Sequence, residues 1–361
     1  MLPYLILFAV FTIPAAAAAF RPYGAPRAKL YLAALILTIA IGLRREVGGD
    51  WYNYLDMLHR IRVMDFAHGL RSTEPGYALL NIIAAHAGWG VWFPNLVCAA
   101  IFTWGLVALA RMQPNPLLAI AVAIYVITLM GMGYTRQSAA LGLVMLAIVQ
   151  FLRGSTLKTF VFLLLAAMFH LSSVIVAPLI GLAVVRRGPI AILLFVIVAI
   201  YMYLQLSGQV FEKLDVYTAG AYSAGGAAVR LMVNAFPAII FLSFRSRFSA
   251  NSEEIRLMTI FSVASVLLLL GLFYVVSTVI LDRVAFYLTP LQLIVLSRIP
   301  YAFGGRTRPS MFLLTGVLVY SLALEIGWLT LGTWGSAWIP YRNYLSDWSP
   351  PRSREGPRWR Q

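Results

Sequence analysis

The sequence predicts an all-α, polytopic transmembrane helical protein. Of its 361 residues, 61% are hydrophobic and only 11% charged, against about 25% charged residues in a soluble domain. Mean hydropathy is +0.83, and basic residues stand singly between apolar runs, the pattern of short cytoplasmic loops. About 11 to 13 membrane segments are expected, some re-entrant or interfacial because they fall short of the ~20 residues that a crossing helix needs. The formal charge of +15 does not imply a nucleic-acid partner, since no compact basic face or reading module accompanies it. The single cysteine, Cys98, excludes an intrachain disulfide, and no His/Cys cluster suggests a metal site. No cofactor is expected.

Residues 3–19 read as the first span, because no positive segment precedes them as a signal peptide requires. Arg21, Arg27 and Lys29 follow and are expected in the cytoplasm, which sends a second span over about 30–43 outward. The loop from Arg44 to Tyr77 is then extracytoplasmic. It carries Arg44, Arg45, Arg60, Arg62 and Arg71 against Glu46, Asp50, Asp56, Asp65 and Glu74, with no net charge. Its arginines break the positive-inside bias, which fits a binding task better than an anchoring one. A helix from Asp50 places Asp50, Asn53, Tyr54 and Met57 on one face, with Trp51, Leu55 and Leu58 adjoining. Thr73-Glu74-Pro75-Gly76 signals another helix start, with Glu74 as a capping carboxylate.

Residues 76–90 read as interfacial, being too short to cross. Spans are expected at about 91–110, 117–132 and 138–152, which puts Arg136 at an outer helix end and Arg111, Arg153 and Lys158 inside. Residues 159–185 lie between Lys158 and Arg186-Arg187 and read as a shallow hairpin with His170 near its tip. The competing parity makes 76–90 and 159–185 full spans and moves Arg136 to the cytoplasm. Further spans fall at about 189–206, 230–244, 257–275, 283–298 and 310–330. A glycine-rich outer loop with Tyr217 and Tyr222 precedes Arg230 and reads as a flap over a cavity. Trp334 and Trp338 read as an interfacial aromatic belt. Residues 1–345 form one membrane domain in this reading, and 346–361 a disordered basic tail.

Ionisable groups at the membrane edge are costly and therefore candidates for function. Arg136, with Gln137 beside it, offers a permanently charged fork for a phosphate. Arg230 and Arg283 are further clamps, Arg283 unless Asp282 neutralises it. Asp50, Glu74 and His170 are the candidate bases, and a capping role would lower the pKa of Glu74. No D-x-D pair is present to hold a divalent ion on a nucleotide-sugar. Arginines suit a diphosphate, aromatics suit sugar faces and a carboxylate suits an attacking hydroxyl. The residues thus point to a metal-independent transferase acting on a lipid diphosphate-linked sugar.

Six segments in order, RREVGGDWYNY (Arg44–Tyr54), EPGY (Glu74–Tyr77), RQSAA (Arg136–Ala140), AAMFHLSS (Ala166–Ser173), the helix from Arg283 to Tyr287 and WIPY (Trp338–Tyr341), resemble the EpsG family of exopolysaccharide biosynthesis proteins. These are Wzy-like polymerases of the bacterial inner membrane. The resemblance implies a GT-C-like helical architecture and polymerisation of undecaprenyl diphosphate-linked oligosaccharide repeat units on the periplasmic face. It implies a site of Arg44, Arg45, Asp50, Asn53, Tyr54, Glu74, Tyr77, Arg136, Gln137, His170 and Arg283. Trp51 and Tyr222 would join Tyr54 and Tyr77 along the sugar path. Expected partners are the lipid-linked oligosaccharide, membrane lipid, and a flippase and chain-length regulator of the same pathway. An O-antigen ligase, a membrane O-acyltransferase with His170 as base, and a transporter of lipid-linked sugar remain alternatives.

Overall fold

The computed structural model describes residues 1–20, 27–184, 188, 193, 196, 200, 226–274, 278–305 and 308–347. The predicted span at 189–206, the loop with Tyr217 and Tyr222, and the tail after Ser349 lie outside the described residues. Among those described, the chain forms helices without a β-strand, apart from one isolated bridge between Arg44 and Asn343. Five helices are long and apolar enough to cross a membrane: α6 (Trp92–Ala110), α8 (Thr135–Leu152), α12 (Ser252–Gly271), most of α13 (Val279–Gly304) and α14 (Met311–Leu331). Shorter helices pack among them: α1 (Leu2–Ala17), α2 (Arg27–Gly42), α7 (Pro116–Val122), α9 (Thr156–Phe169), α10 (Val176–Val184) and α11 (Ala227–Ser243). This is an all-α polytopic membrane protein, as its composition requires.

Helix starts follow local chemistry. Asn115 caps α7 through Oδ1, which accepts from Leu118 N at 3.1 Å, and Pro116 occupies the first turn where no N–H is needed. Asn251 caps α12 by accepting from Glu254 N at 2.8 Å, with Glu253 and Glu254 against the positive end of the helix. The predicted span over 117–132 is interrupted: α7 stops at Val122, Ile124–Val126 makes one turn, and Ile127–Gly131 is π-helical.

Side-chain ties define two ends of the bundle. The Tyr4 hydroxyl donates to Trp338 O at 2.6 Å at one end of α1, while Asn115 and Tyr301 donate to Ala15 O and Ala19 O at the other. The first end also holds α3 (Trp51–Ile61), α4 (Phe66–Arg71) and α5 (Pro75–His86), which form a cap on the bundle. α5 has 12 residues, about 18 Å at 1.5 Å per residue, too short to cross. α9 and α10 are the arms of the predicted hairpin: His170 stands at the cap end, and Leu182 O accepts from Arg256 Nη2 at the opposite end. The arms splay, with α9 against α8 and α10 against α12.

Trp338 corrects the expected aromatic belt. It is 1% exposed and donates from Nε1 to Thr128 O at 2.8 Å, so it plugs the bundle beside Gly133, where a Cβ would stand 2.5 Å from its ring. Around it the chain from Leu43 to Gly48 is pinned to the segment 337–344: Arg45 N donates to Arg342 O, Gly48 N to Ala337 O and Tyr344 N to Leu43 O. Gly48 has φ +99° and a Cβ there would lie 2.3 Å from Met132 O, so only glycine fits.

α6 and α8 pack closely through glycines on both helices. A Cβ on Gly105 would sit 2.0 Å from Gly142 O, and one on Gly142 would sit 2.6 Å from Ile101 O; small residues let the backbones meet, as membrane helix interfaces require. Gly142→Val is expected to destabilise the protein by about 1–3 kcal/mol or more through overpacking. Gly316→Ala, where nothing lies within 4 Å, is expected not to. Thermal unfolding of the two purified variants in detergent checks this.

Candidate active site

Asp50 is the N-cap residue of α3 rather than part of its face, and α3 buries Trp51, Tyr54, Leu58 and Ile61. The predicted polar stripe is therefore divided. Tyr54 turns inward against Tyr77, with ring centroids 5.7 Å apart, while exposed Asn53 donates from Nδ2 to Asp50 Oδ1 at 3.2 Å. Asp50, Tyr54, Arg136, Gln137, His170 and Arg283 line one open cavity of about 270 Å³, with Tyr134, Asp282 and Phe286 completing its wall. Residues from the cap, from α8, from the hairpin tip and from α13 thus meet at one end of the bundle.

Glu74 stands behind that wall. It occupies the N-cap position of α5, yet its side chain caps nothing. Oε2 instead accepts from Arg136 Nη1 at 2.6 Å and from the Thr73 hydroxyl at 2.8 Å, and Oε1 pairs with His170 Nδ1 at 3.0 Å. Arg136 Nη1 also donates to Thr73 Oγ1 at 2.8 Å, and the guanidinium lies 6.0 Å from the Tyr77 ring centroid. His170 Nε2 is 3.0 Å from Gln137 Nε2. A neutral imidazole with its proton on Nδ1 satisfies both contacts, donating to Glu74 and accepting from the Gln137 amide, an assignment that follows from the network.

The two carboxyls are driven apart. Burial raises the pKa of Asp50, and the Asn53 bond and the neighbouring cations offset this only in part. Burial also acts upward on Glu74, but the His170 bond and the Arg136 charge outweigh it and hold this carboxyl far below the usual range. Glu74 is therefore an anchored anion. Asp50 has Asn53 as its one side-chain partner among the described residues and faces the cavity.

Arg44, Arg45 and Arg230 stand elsewhere. Arg44 is 1% exposed; it donates to Ile41 O at 2.7 Å, Val47 O at 3.3 Å and Thr135 Oγ1 at 2.7 Å, and Thr135 continues to Asn95. It staples the loop to the start of α8 and does not line the cavity. Arg45 donates to Asp347 O at 3.1 Å and stacks over Tyr344. Arg230 forms a bidentate pair with Asp282, at 2.5 and 3.0 Å. The partner of Asp282 is thus this distant arginine and not its neighbour Arg283, which is exposed and has no side-chain partner among the described residues. Sequence reasoning did not single out Thr73, Tyr134 or Phe286; Thr73 had a signal, a hydroxyl beside a helix-start acid.

The profile of the EpsG family matches residues 28–343. No curated protein and no solved structure matches the chain.

Glu74→Gln is expected to lower stability by about 2 kcal/mol, the range for hydrogen bonds to a charged group. The folded pKa is depressed, so this contribution is present above the unfolded value near 4.3 and lost as pH falls through the folded one. Detergent melts from pH 8 down to pH 4 are expected to show a constant gap between wild type and variant across the neutral range.

Proposed function

This chain belongs to the EpsG family, and on that premise we propose that it is a membrane polysaccharide polymerase acting on undecaprenyl diphosphate-linked oligosaccharides. The observation that carries the proposal is a cavity holding one underpartnered carboxylate, Asp50, beside two cations, Arg136 and Arg283. The growing chain, linked through its reducing-end sugar to a lipid diphosphate, is the donor. The non-reducing sugar of the next repeat unit is the acceptor. Asp50 takes the proton from the acceptor hydroxyl as its oxygen bonds to the anomeric carbon of the donor. The bond from that carbon to the diphosphate breaks, and the departing diphosphate carries its negative charge onto Arg136 and Arg283. Tyr54 and Tyr134 give the sugars apolar walls. Glu74 and His170 act as positioning residues that hold Arg136 and Gln137 at the cavity.

The reading needs no metal, because two guanidiniums, Arg136 held by Glu74 and the exposed Arg283, supply the charge that a divalent ion would otherwise bring. The site belongs on the extracytoplasmic side of the inner membrane. Arg111, Arg153, Lys158, Arg245 and Arg256 cluster around the opposite end, which the positive-inside rule assigns to the cytoplasm. Engagement of both His170 nitrogens favours a polymerase over an acyltransferase that would use this histidine as base.

The test is glycan extension by the purified protein supplied with an undecaprenyl diphosphate-linked repeat unit. Asp50→Asn is expected to lose about 10²–10⁴-fold, the contribution of general-base catalysis; Arg136→Ala and Arg283→Ala about 10²-fold, as for a lost charge-stabilising donor. Chelator is expected to leave the wild-type rate unchanged. With burial raising the Asp50 carboxyl from its ordinary value and Glu74 held low, the rate is expected to fall as pH decreases through the titration of Asp50. Full activity in Asp50→Asn would remove this carboxylate from the mechanism.

A further inference from the structure

At the end of the bundle opposite the active site, a second open cavity of about 290 Å³ is lined by Pro114, Arg247, Phe248, Ser249, Arg298, Tyr301 and Ala302. Arg298 is 6% exposed and projects from α13. Its Nε donates to Gln113 Oε1 at 2.7 Å and its Nη2 to Glu254 Oε1 at 2.5 Å. The remaining nitrogen, Nη1, is buried and has no hydrogen-bond partner. A buried guanidinium N–H left unsatisfied costs free energy, and such orphaned donors ask for an explanation. Arg247, on the short helical turn after α11, is exposed at the rim and held over the Phe303 ring at 5.2 Å. Ser249 adds an exposed hydroxyl. The carboxylate bonded to Arg298 is Glu254, through Nη2, and with Arg247 also on its lining the cavity carries two guanidiniums against that one bonded acid among the described residues.

We propose that this cavity is a binding site for a phosphate group, with Arg298 as its fixed inner donor and Arg247 and Ser249 closing on the outer oxygens. The positions suit that chemistry: one preorganised buried cation, one adaptable cation at the mouth and a neutral hydroxyl. A phosphate can reach it as the headgroup of an anionic membrane lipid or as a free phosphorylated solute, because the cavity opens at the basic end of the bundle where lipid headgroups and solvent meet. The site lies apart from the proposed polymerase cavity and does not depend on that reading.

The test uses the full-length protein and two probes. In detergent, inorganic phosphate is titrated against chloride at equal ionic strength while the thermal midpoint is followed. In vesicles of phosphatidylcholine with or without phosphatidylglycerol, protection of residues 245–256 from hydrogen exchange is followed. A saturable stabilisation by phosphate, or protection specific to the anionic vesicles, supports the site, and the arm that responds names the source. Arg247→Gln, an exposed change outside the packed bundle, is expected to weaken the response about tenfold, the value of one charged hydrogen bond. Arg298→Lys keeps the charge toward Glu254 and is expected to do the same. Absence of a saturable response to both probes in the folded wild type overturns the proposal, as does a response that both variants retain in full.

Discussion

The clamp on Glu74 is the interaction on which the cavity end of the molecule depends. One carboxylate gathers Arg136, 62 residues away, and His170, 96 residues away, so it fixes the cap, the start of α8 and the hairpin tip relative to one another. A half-buried carboxylate is stabilised by having these partners in place, since removing them would leave its charge poorly solvated. The same bonds set the imidazole tautomer and, through it, the orientation of the Gln137 amide at the cavity wall.

That anchoring role also divides the labour between two acids of similar intrinsic strength. Glu74 has both oxygens engaged and stays ionised, so it has no lone pair directed at a substrate. Asp50 is half-buried at a helix start, bonded to one amide and turned toward the cavity. Environment, not residue type, separates a structural anion from a group able to accept a proton. From the spacing alone both read as helix-start acids, and no local pattern ranks them.

The contrast generalises. The fold class was legible because burial in lipid imposes its composition on every span, and the hairpin tip at His170 was legible because basic residues flank it on both sides. Gathering Asp50, Arg136, His170 and Arg283 at one end followed from the same topology. What was not legible were the long-range choices of partner. Arg44 reads as a loop cation yet spends its donors on backbone carbonyls and Thr135. Whether Asp282 neutralises its neighbour Arg283 stays open in the sequence, and its partner is the distant Arg230. Trp338 reads as interfacial yet fills a space that Gly133 leaves open. Each depends on which helix stands opposite, information that local periodicity does not contain.

The pairing pattern gives the charge distribution its meaning. At the cavity end three arginines are matched by carboxylates, Arg136 by Glu74, Arg230 by Asp282, and Arg342 by Glu46 and Asp347, while Arg44, Arg45 and Arg62 donate to main-chain carbonyls. Toward the other end stand Arg111, Arg153, Lys158, Arg245, Arg247, Arg256 and Arg298, with Glu253 and Glu254 among them in sequence and Glu254 bonded to Arg298. By the positive-inside rule, basic residues at that end favour the cytoplasmic side. The cavity wall presents the guanidiniums of Arg136 and Arg283, and under the proposed reading a diphosphate that spans both would be recognised by geometry as well as by charge.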